Sequence, residues 1–279
     1  MDIKCWGSRG SIPVSGPSYI KYGGDTTCIE ITAKTGETII IDAGTGLRRL
    51  GNSLIDRNVS RYHLLLTHAH WDHIMGIAFF KPLQFSKVNL TVKDCLFSGI
   101  STRDVLHEVM KKPFFPISLN DLKAQLQFEK YLNKSFFIGS VKIETIPTSH
   151  NNGGIGYKFL ENGKIFVFLT DNELGFNHPE SRGFDAYLEF SRNADLLLHD
   201  GEYTKDEYSR KMGWGHSSIR DVMDLAVQAR VKKLGLFHLN QDRTDDEMDK
   251  IVGDCQADLK HFHSGMEVFA VSSDMTFHL

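Results

Sequence analysis

A four-layer α/β sandwich, two sheets face to face with helices outside them (αββα), is the fold class this sequence predicts. Three observations lead there. Short β-rich runs crowd the first third, strand and helix patterns alternate in the last third, and the 279 residues are 41% hydrophobic, enough to fill the interior of one large domain. The early runs are IKCW (3–6), CIEIT (28–32) and TIIID (38–42), parted by the glycine-bearing turns YGGD and KTGE. Their β-branched residues favour strands and the turns keep them short. HLLLT (63–67) is a continuous apolar run, the pattern of a strand covered on both faces. Between Asp104 and Lys130 the pattern predicts a helix to Lys112, the loop PFFP, and a second helix beginning near Leu119. Strands resume with FFIGSVKIETI (136–146), GIGYKFL (154–160) and KIFVFLT (164–170). The remainder alternates: helix near 180–192, strand DLLLH (195–199), helix near 217–230, strand KLGLFH (233–238), helix near 244–255, strand EVFAV (267–271). No repeat, low-complexity tract or linker interrupts this order, so residues 1–279 are expected to form a single domain.

Charge narrows the function classes. There are 32 basic against 35 acidic side chains and no basic run. This argues against a protein held on nucleic acid mainly by counterion release, though not against one that grips a single phosphate. The opening MDIKCWGSRG carries charge where a signal peptide needs an apolar core, and no apolar run approaches about eighteen residues. The expected compartment is the cytoplasm, with no membrane partner. Cys5, Cys28, Cys95 and Cys255 are scattered without a C-x-x-C pair, as expected of free thiols packed in a core.

The histidines are informative through their clustering. His68, His70, Asp72 and His73 fall within six residues, THAHWDH, directly after HLLLT. A buried strand that ends in four ligand-type side chains is not building more core. Imidazole and carboxylate suit first-row divalent metals, and alternating positions of an extended turn can converge on one ion. The spacing differs from H-E-x-x-H, whose ligands recur one helical turn apart. A chance polar turn is the bland alternative.

THAHWDH resembles the H-x-H-x-D-H signature of the metallo-β-lactamase fold superfamily, and further matches follow in that family's order. IDAG (41–44) resembles its first motif, PTSH (147–150) its isolated histidine, LTD (169–171) its strand-ending aspartate and LFH (236–238) its last histidine. The resemblance implies two divalent ions, zinc first, with manganese or iron also suited. His68, His70 and His150 would hold one ion, Asp72, His73 and His238 the other, and Asp171 would bridge them. Asp42 is expected to orient a ligand histidine rather than to be a ligand. Taken singly, His150 also reads as a turn residue and Asp171 as a cap. Redox members of the superfamily typically carry glutamate where this chain has His70, so hydrolysis is favoured.

GWGHSS places His216 outside that ligand set. The segment resembles the histidine motif of the superfamily's phosphodiesterase branch, which includes tRNA 3′-processing endonucleases and PhnP-like cyclic phosphodiesterases. An alkoxide leaves phosphorus poorly unless a positioned group stabilises or protonates it. His216 is therefore expected to assist the leaving oxygen while Asp72 helps position the attacking hydroxide. LLLHDGEYT (196–204) offers Asp200 and Glu202 to orient His216, with Asp200 preferred. The competing role for His216 is a cap of the following helix, which suits Ser217 and Ser218 better. In the first loop, GSRGSIPVSGP (7–17), Arg9 is expected to contact a phosphate oxygen, with Ser8 and Ser11 assisting; a solvated turn is the alternative.

The tRNA-processing members hold tRNA with a long arm inserted between the third-motif histidine and the bridging aspartate. Here His150 and Asp171 are only 21 positions apart. Some PhnP-like proteins carry an extra cysteine-rich metal site that four scattered cysteines cannot supply. These departures lead to the expectation of a small phosphodiester substrate, such as a cyclic nucleotide, with no extended nucleic-acid surface. Phe114 and Phe115 in MKKPFFPISL (110–119) could stack on a base, although an aromatic pair beside prolines is more often packed. An acyl hydrolase on the same metals (lactone, thioester or β-lactam) and a metal-containing ligand sensor with little turnover are the competing functions. A homodimer is compatible with the chain.

Overall fold

Two seven-stranded sheets carry the architecture, and the computed structural model describes residues 1–130, 135–261 and 265–279. In chain order the first half comprises β1 (Asp2–Gly7), β2 (Cys28–Thr32), β3 (Thr38–Ile41), α1 (Gly46–Asp56), β4 (Arg61–Leu65), α2 (Trp71–Ile74) and β5 (Asn89–Asp94). The short strands β6 (Leu96–Phe97) and β7 (Ile100–Ser101), then α3 (Thr102–Val109) and β8 (Gln125–Lys130), complete it. The second half begins with β9 (Ser135–Ile138), β10 (Val141–Pro147), β11 (Ile155–Glu161), β12 (Lys164–Leu169), α4 (Phe184–Ser191), β13 (Leu196–Asp200) and α5 (Lys205–Tyr208). It ends with α6 (Ile219–Gln228), β14 (Lys233–Phe237), α7 (Asp245–His261), β15 (Glu267–Ala270) and β16 (Thr276–His278).

The first sheet has the order β16-β1-β2-β3-β4-β5-β8 and the second β15-β14-β13-β12-β11-β10-β9. Strands β3, β4, β5 and β8 run parallel, as do β12 to β15. One apolar cluster lies between the sheets, with Ile29, Ile31, Ile39 and Ile41 meeting Phe159, Phe166, Phe168 and Phe237. A second packs α1 and α3 on the outer face of the first sheet, and a third packs α4, α6 and α7 on the second. The four-layer expectation is thus realised. No helix of the described residues is long and apolar enough to cross a membrane.

The differences from the sequence reading have local causes. No helix starts at Leu119: one 3₁₀ turn, Leu119–Asp121, leads into β8. There Leu126 and Phe128 point inward between exposed Gln125, Gln127 and Glu129, a period of two that places QLQFEK beside β5. The run 136–146 divides into β9 and β10 at Gly139, whose positive φ of 54° reverses the chain. Helix α1 was hidden by Gly46 and Gly51, yet Leu47, Leu50 and Leu54 recur at helical spacing and are buried. Truncating Leu50 to alanine is expected to destabilise the chain by ~3 kcal/mol.

Candidate metal centre

The parallel strands bring their C-terminal ends to one edge. Register pairs Ile41 with Leu65, Leu169 with His199, and Asp200 with Phe237, so Asp42, Asp171, Asp200 and His238 emerge together. Strand β10 is antiparallel to β11, which is antiparallel to β12, so His150, beyond β10, arrives at the same edge. Asp42, Asp171 and His238 adopt left-handed backbone, φ 61°, 50° and 55°. That conformation costs a β-carbon-bearing residue on the order of 1 kcal/mol, and such strain concentrates at functional sites. It takes each side chain out of the strand's alternation and into the cleft.

THAHWDH is half extended and half helical, in place of the fully extended turn expected. His70 is the extended N-cap of α2, and the backbone N–H of His73 donates to the His70 carbonyl at 3.0 Å. His68 and His70 therefore reach in from an extended segment, and Asp72 and His73 from one helical turn.

The imidazoles of His70, His68, His73, His238, His216 and His150 form a closed ring, neighbouring centroids lying 4.2–5.7 Å apart, with His150 and His70 closing it at 4.9 Å. Asp171 sits among them: Oδ1 is 3.6 Å from Nε2 of His68, 3.6 Å from Nε2 of His150 and 3.4 Å from Nε2 of His238, while Oδ2 is 3.3 Å from Nε2 of His73. Asp72 Oδ2 is 3.1 Å from Nε2 of His238 and 3.2 Å from Nε2 of His73, and accepts from the Ser11 N–H at 2.8 Å. One potential ligand atom from each of His68, His70, His150 and Asp171 lies within 4.8 Å of the others. The same is true of Asp72, His73 and His238, and of Asp171, His216 and His238.

The donor chemistry fits a divalent cation. Burial opposes ionisation of Asp72 and Asp171, yet the surrounding rings outweigh it and hold both carboxyls well below the usual range. Burial pushes the other way on His68 and His150, which are held neutral, His150 down to about 3. Anionic carboxylates and neutral imidazoles are what a metal requires. His73 and His238 are drawn up instead, because Asp72, Asp171 and their neighbours overcome burial; a bound cation competes for that position with a proton. Nε2 of His68 and Nε2 of His73 are buried without a hydrogen bond, an arrangement that a metal would satisfy.

Four of the six rings are turned by a carboxylate or carbonyl partner on Nδ1. His73 Nδ1 donates to Asp42 Oδ2 at 2.8 Å, and Asp42 also accepts from the Thr67 N–H at 2.7 Å and the Thr67 hydroxyl at 2.8 Å. His150 Nδ1 donates to the Gly215 carbonyl at 2.8 Å; a β-carbon on Gly215 would lie 2.2 Å from that nitrogen, and its φ is 95°, so GWGHSS requires glycine there. His238 Nδ1 donates to Glu202 Oε2 at 3.0 Å. His216 Nδ1 donates to Asp200 Oδ2 at 2.7 Å. Burial disfavours a charged His216, but Asp200 and Glu202 prevail and keep it protonated up to about 9.

Arg9 departs from expectation. Arg9 is 1% exposed, and its guanidinium donates to the carbonyls of Gly23, Asn240 and Arg243. Those donors tie three loops together and are not presented to a phosphate; arginine in a polar loop gave no hint that carbonyls would surround it. Phe115 packs edge-on against Phe79 at 5.7 Å, and Phe114 is exposed. The sequence reading also missed Glu173, a buried carboxylate that accepts from the N–H groups of Gly213 and Gly215 at 2.7 Å each, the Tyr208 hydroxyl at 2.8 Å and His178 Nε2 at 2.9 Å. It anchors the GWGHSS loop to the segment after Asp171. Its only signal was an acidic residue two positions past LTD.

Residues 37–239 match the family described as Beta-lactamase superfamily domain. The chain belongs to that superfamily. Among its superfamily relatives, ribonuclease Z of Haloarcula marismortui is 24% identical over 260 residues, covering 74% of this chain and 78% of that one. Ribonuclease Z of Archaeoglobus fulgidus is 21% identical over 280 residues, covering 84% and 85%. Similar solved structures are the metallo-β-lactamase fold protein YhfI of Bacillus subtilis (TM-score 0.71, 16% identity, 99% and 98% covered) and a diphosphatase from the PhnP family (TM-score 0.70, 16% identity, 100% and 97% covered). The relatives also correct one expectation. Proteins named ribonucleases match over roughly three quarters of the chain or more, so a small substrate and the lack of an extended nucleic-acid surface do not stand. Net charge and the short His150–Asp171 interval misled because neither describes the local surface around the cleft.

Proposed function

We propose that this chain hydrolyses phosphodiester bonds in ribonucleotide strands at a two-ion centre. The observation that carries the reading is the His216–Asp200 pair, 2.7 Å apart, set in the same ring as the metal-ligating candidates. His68, His70 and His150 would hold one divalent ion, zinc by preference, and Asp72, His73 and His238 a second, with Asp171 facing both. Such ions supply Lewis acidity toward a phosphoryl oxygen and nucleophilic water at neutral pH.

This chain's own residues do the rest. Asp42, Glu202 and the Gly215 carbonyl orient His73, His238 and His150. His216, fixed through Nδ1 on Asp200, would pass a proton from Nε2 to the departing oxygen. His216 also lies within ligand reach of Asp171 and His238, which metal analysis of His216→Ala separates from proton donation. Trp71 (59% exposed), next in the chain to His70, and Trp214 (61% exposed), next to Gly215, suit stacking of unpaired bases.

The test is cleavage of a labelled single-stranded RNA and of bis-p-nitrophenyl phosphate after loading with zinc or manganese, with His68→Ala as the blank. Metal-dependent cleavage of both is expected. Failure on both, by protein shown to hold metal, would sink the reading; turnover of a cyclic nucleotide without strand cleavage would remove its RNA part.

A further inference from the structure

We infer that the cavity beside His68 and His70 is a subsite for one nucleobase, carried by a nucleotide that flanks the scissile phosphodiester; this rests on the phosphodiesterase reading above. The cavity measures about 310 Å³, at the small end for ligand pockets, and suits one base ring rather than a stacked pair. Its floor is the cluster itself, His68, Ala69 and His70, and its facing wall is apolar, from Phe97, Ile100 and Val105. A base seated there keeps its phosphate at the cluster.

Phe97 and Ile100 belong to an excursion that joins neither sheet, and Val105 to the helix α3 that follows it. Strands β6 and β7 form a separate two-stranded hairpin between β5 and α3. Its turn residues Ser98 and Gly99 both have positive φ, 48° and 82°, as the tightest hairpin turns require. Phe97 anchors it in the outer core, while Ile100 remains 51% exposed. The Ser98 hydroxyl donates to the Asn152 carbonyl at 3.1 Å, so the hairpin tip is pinned to the turn that follows His150. Asn152 and Gly153, in that turn, close the other side of the cavity. The pocket therefore lies between an arm from the first half of the chain and a ligand-bearing turn from the second. Flat apolar faces with a polar edge match a wall of Phe97, Ile100 and Val105 with Asn152 beside it; an aliphatic chain would offer the Asn152 side chain no partner.

Binding and turnover test this separately. A nucleoside 5′-monophosphate and abasic ribose 5-phosphate are titrated calorimetrically into the zinc-loaded full chain, into Val105→Trp, which fills the cavity, and into Ile100→Ala, which removes an exposed wall side chain with little risk to folding. The base is expected to improve binding of the wild type by about tenfold or more, the lower end of what one stacked base contributes. That advantage should fall to less than about threefold in Val105→Trp and drop measurably in Ile100→Ala. No base advantage in the wild type, or the same advantage in all three proteins, overturns the subsite. Turnover of bis-p-nitrophenyl phosphate by the wild type is read alongside: its failure counts against the phosphodiesterase reading, whereas base-dependent binding still reports on the cavity.

Discussion

The two halves of the candidate metal centre are built differently. The first sheet delivers His68, His70, Asp72 and His73 from one short loop, backed by the single carboxylate Asp42. The second sheet delivers His150, Asp171, His216 and His238 from four separate segments, and three buried acids hold that side together: Asp200 on His216, Glu202 on His238 and Glu173 on the GWGHSS loop. A contiguous loop aims its side chains largely through backbone geometry. Rings that arrive on different strands need a partner each, since small shifts between segments would otherwise misplace them.

The largest effect should come from the residue common to both halves. Asp171→Ala is expected to lower kcat/KM by roughly a thousandfold, about 4 kcal/mol of transition-state stabilisation, with loss of bound metal by elemental analysis. Near-normal metal content and rate would show that the halves act independently. Next, His216→Ala should slow RNA cleavage by about a hundredfold or more, yet reduce turnover of the nitrophenolate ester by under about tenfold, because a good leaving group needs no acid. Equal losses on the two substrates would remove the proton-donor role.

Asp42→Asn and Glu202→Gln set the two halves against each other. Each should weaken metal binding by about 10- to 100-fold in a chelator competition, with Glu202→Gln the more damaging because Glu202 also accepts from Asn240 at 2.9 Å and faces His216 at 3.5 Å. The reverse order would locate the more fragile support in the THAHWDH loop. The smallest effect at neutral pH belongs to Asp200→Asn. His216 is raised to about 9, so RNA cleavage should fall as pH rises toward that value, bound cations drawing the limb down somewhat. Without Asp200 the falling limb should move to lower pH, while rates well below pH 6.5 change least. The linked stability has the same sign: the ring–carboxylate attraction is complete below the ring's ordinary value and is lost as pH rises through about 9. An unmoved limb would dissociate it from His216.

Legibility followed the same division. THAHWDH was readable because its ligand-type residues are neighbours in the chain, and PTSH, LTD and LFH through their resemblance, in order, to the superfamily's later motifs. The preference for Asp200 over Glu202 as the partner of His216 matches the contacts, with Glu202 turned to His238. Arg9 was misread because a guanidinium's surroundings depend on loops at 23, 240 and 243. Glu173 was overlooked because its four donors come from residues 178, 208, 213 and 215.

By itself, then, the sequence determined the layer order and the clustering of ligand-type side chains in THAHWDH, since these follow from local periodicity and residue chemistry. Only the tertiary structure decided which carboxylate stands behind which ring, that Arg9 faces carbonyls, and that a hairpin at 96–101 walls a cavity beside His70. Those outcomes depend on how loops distant in the chain pack across two sheets, and no short-range pattern encodes that packing.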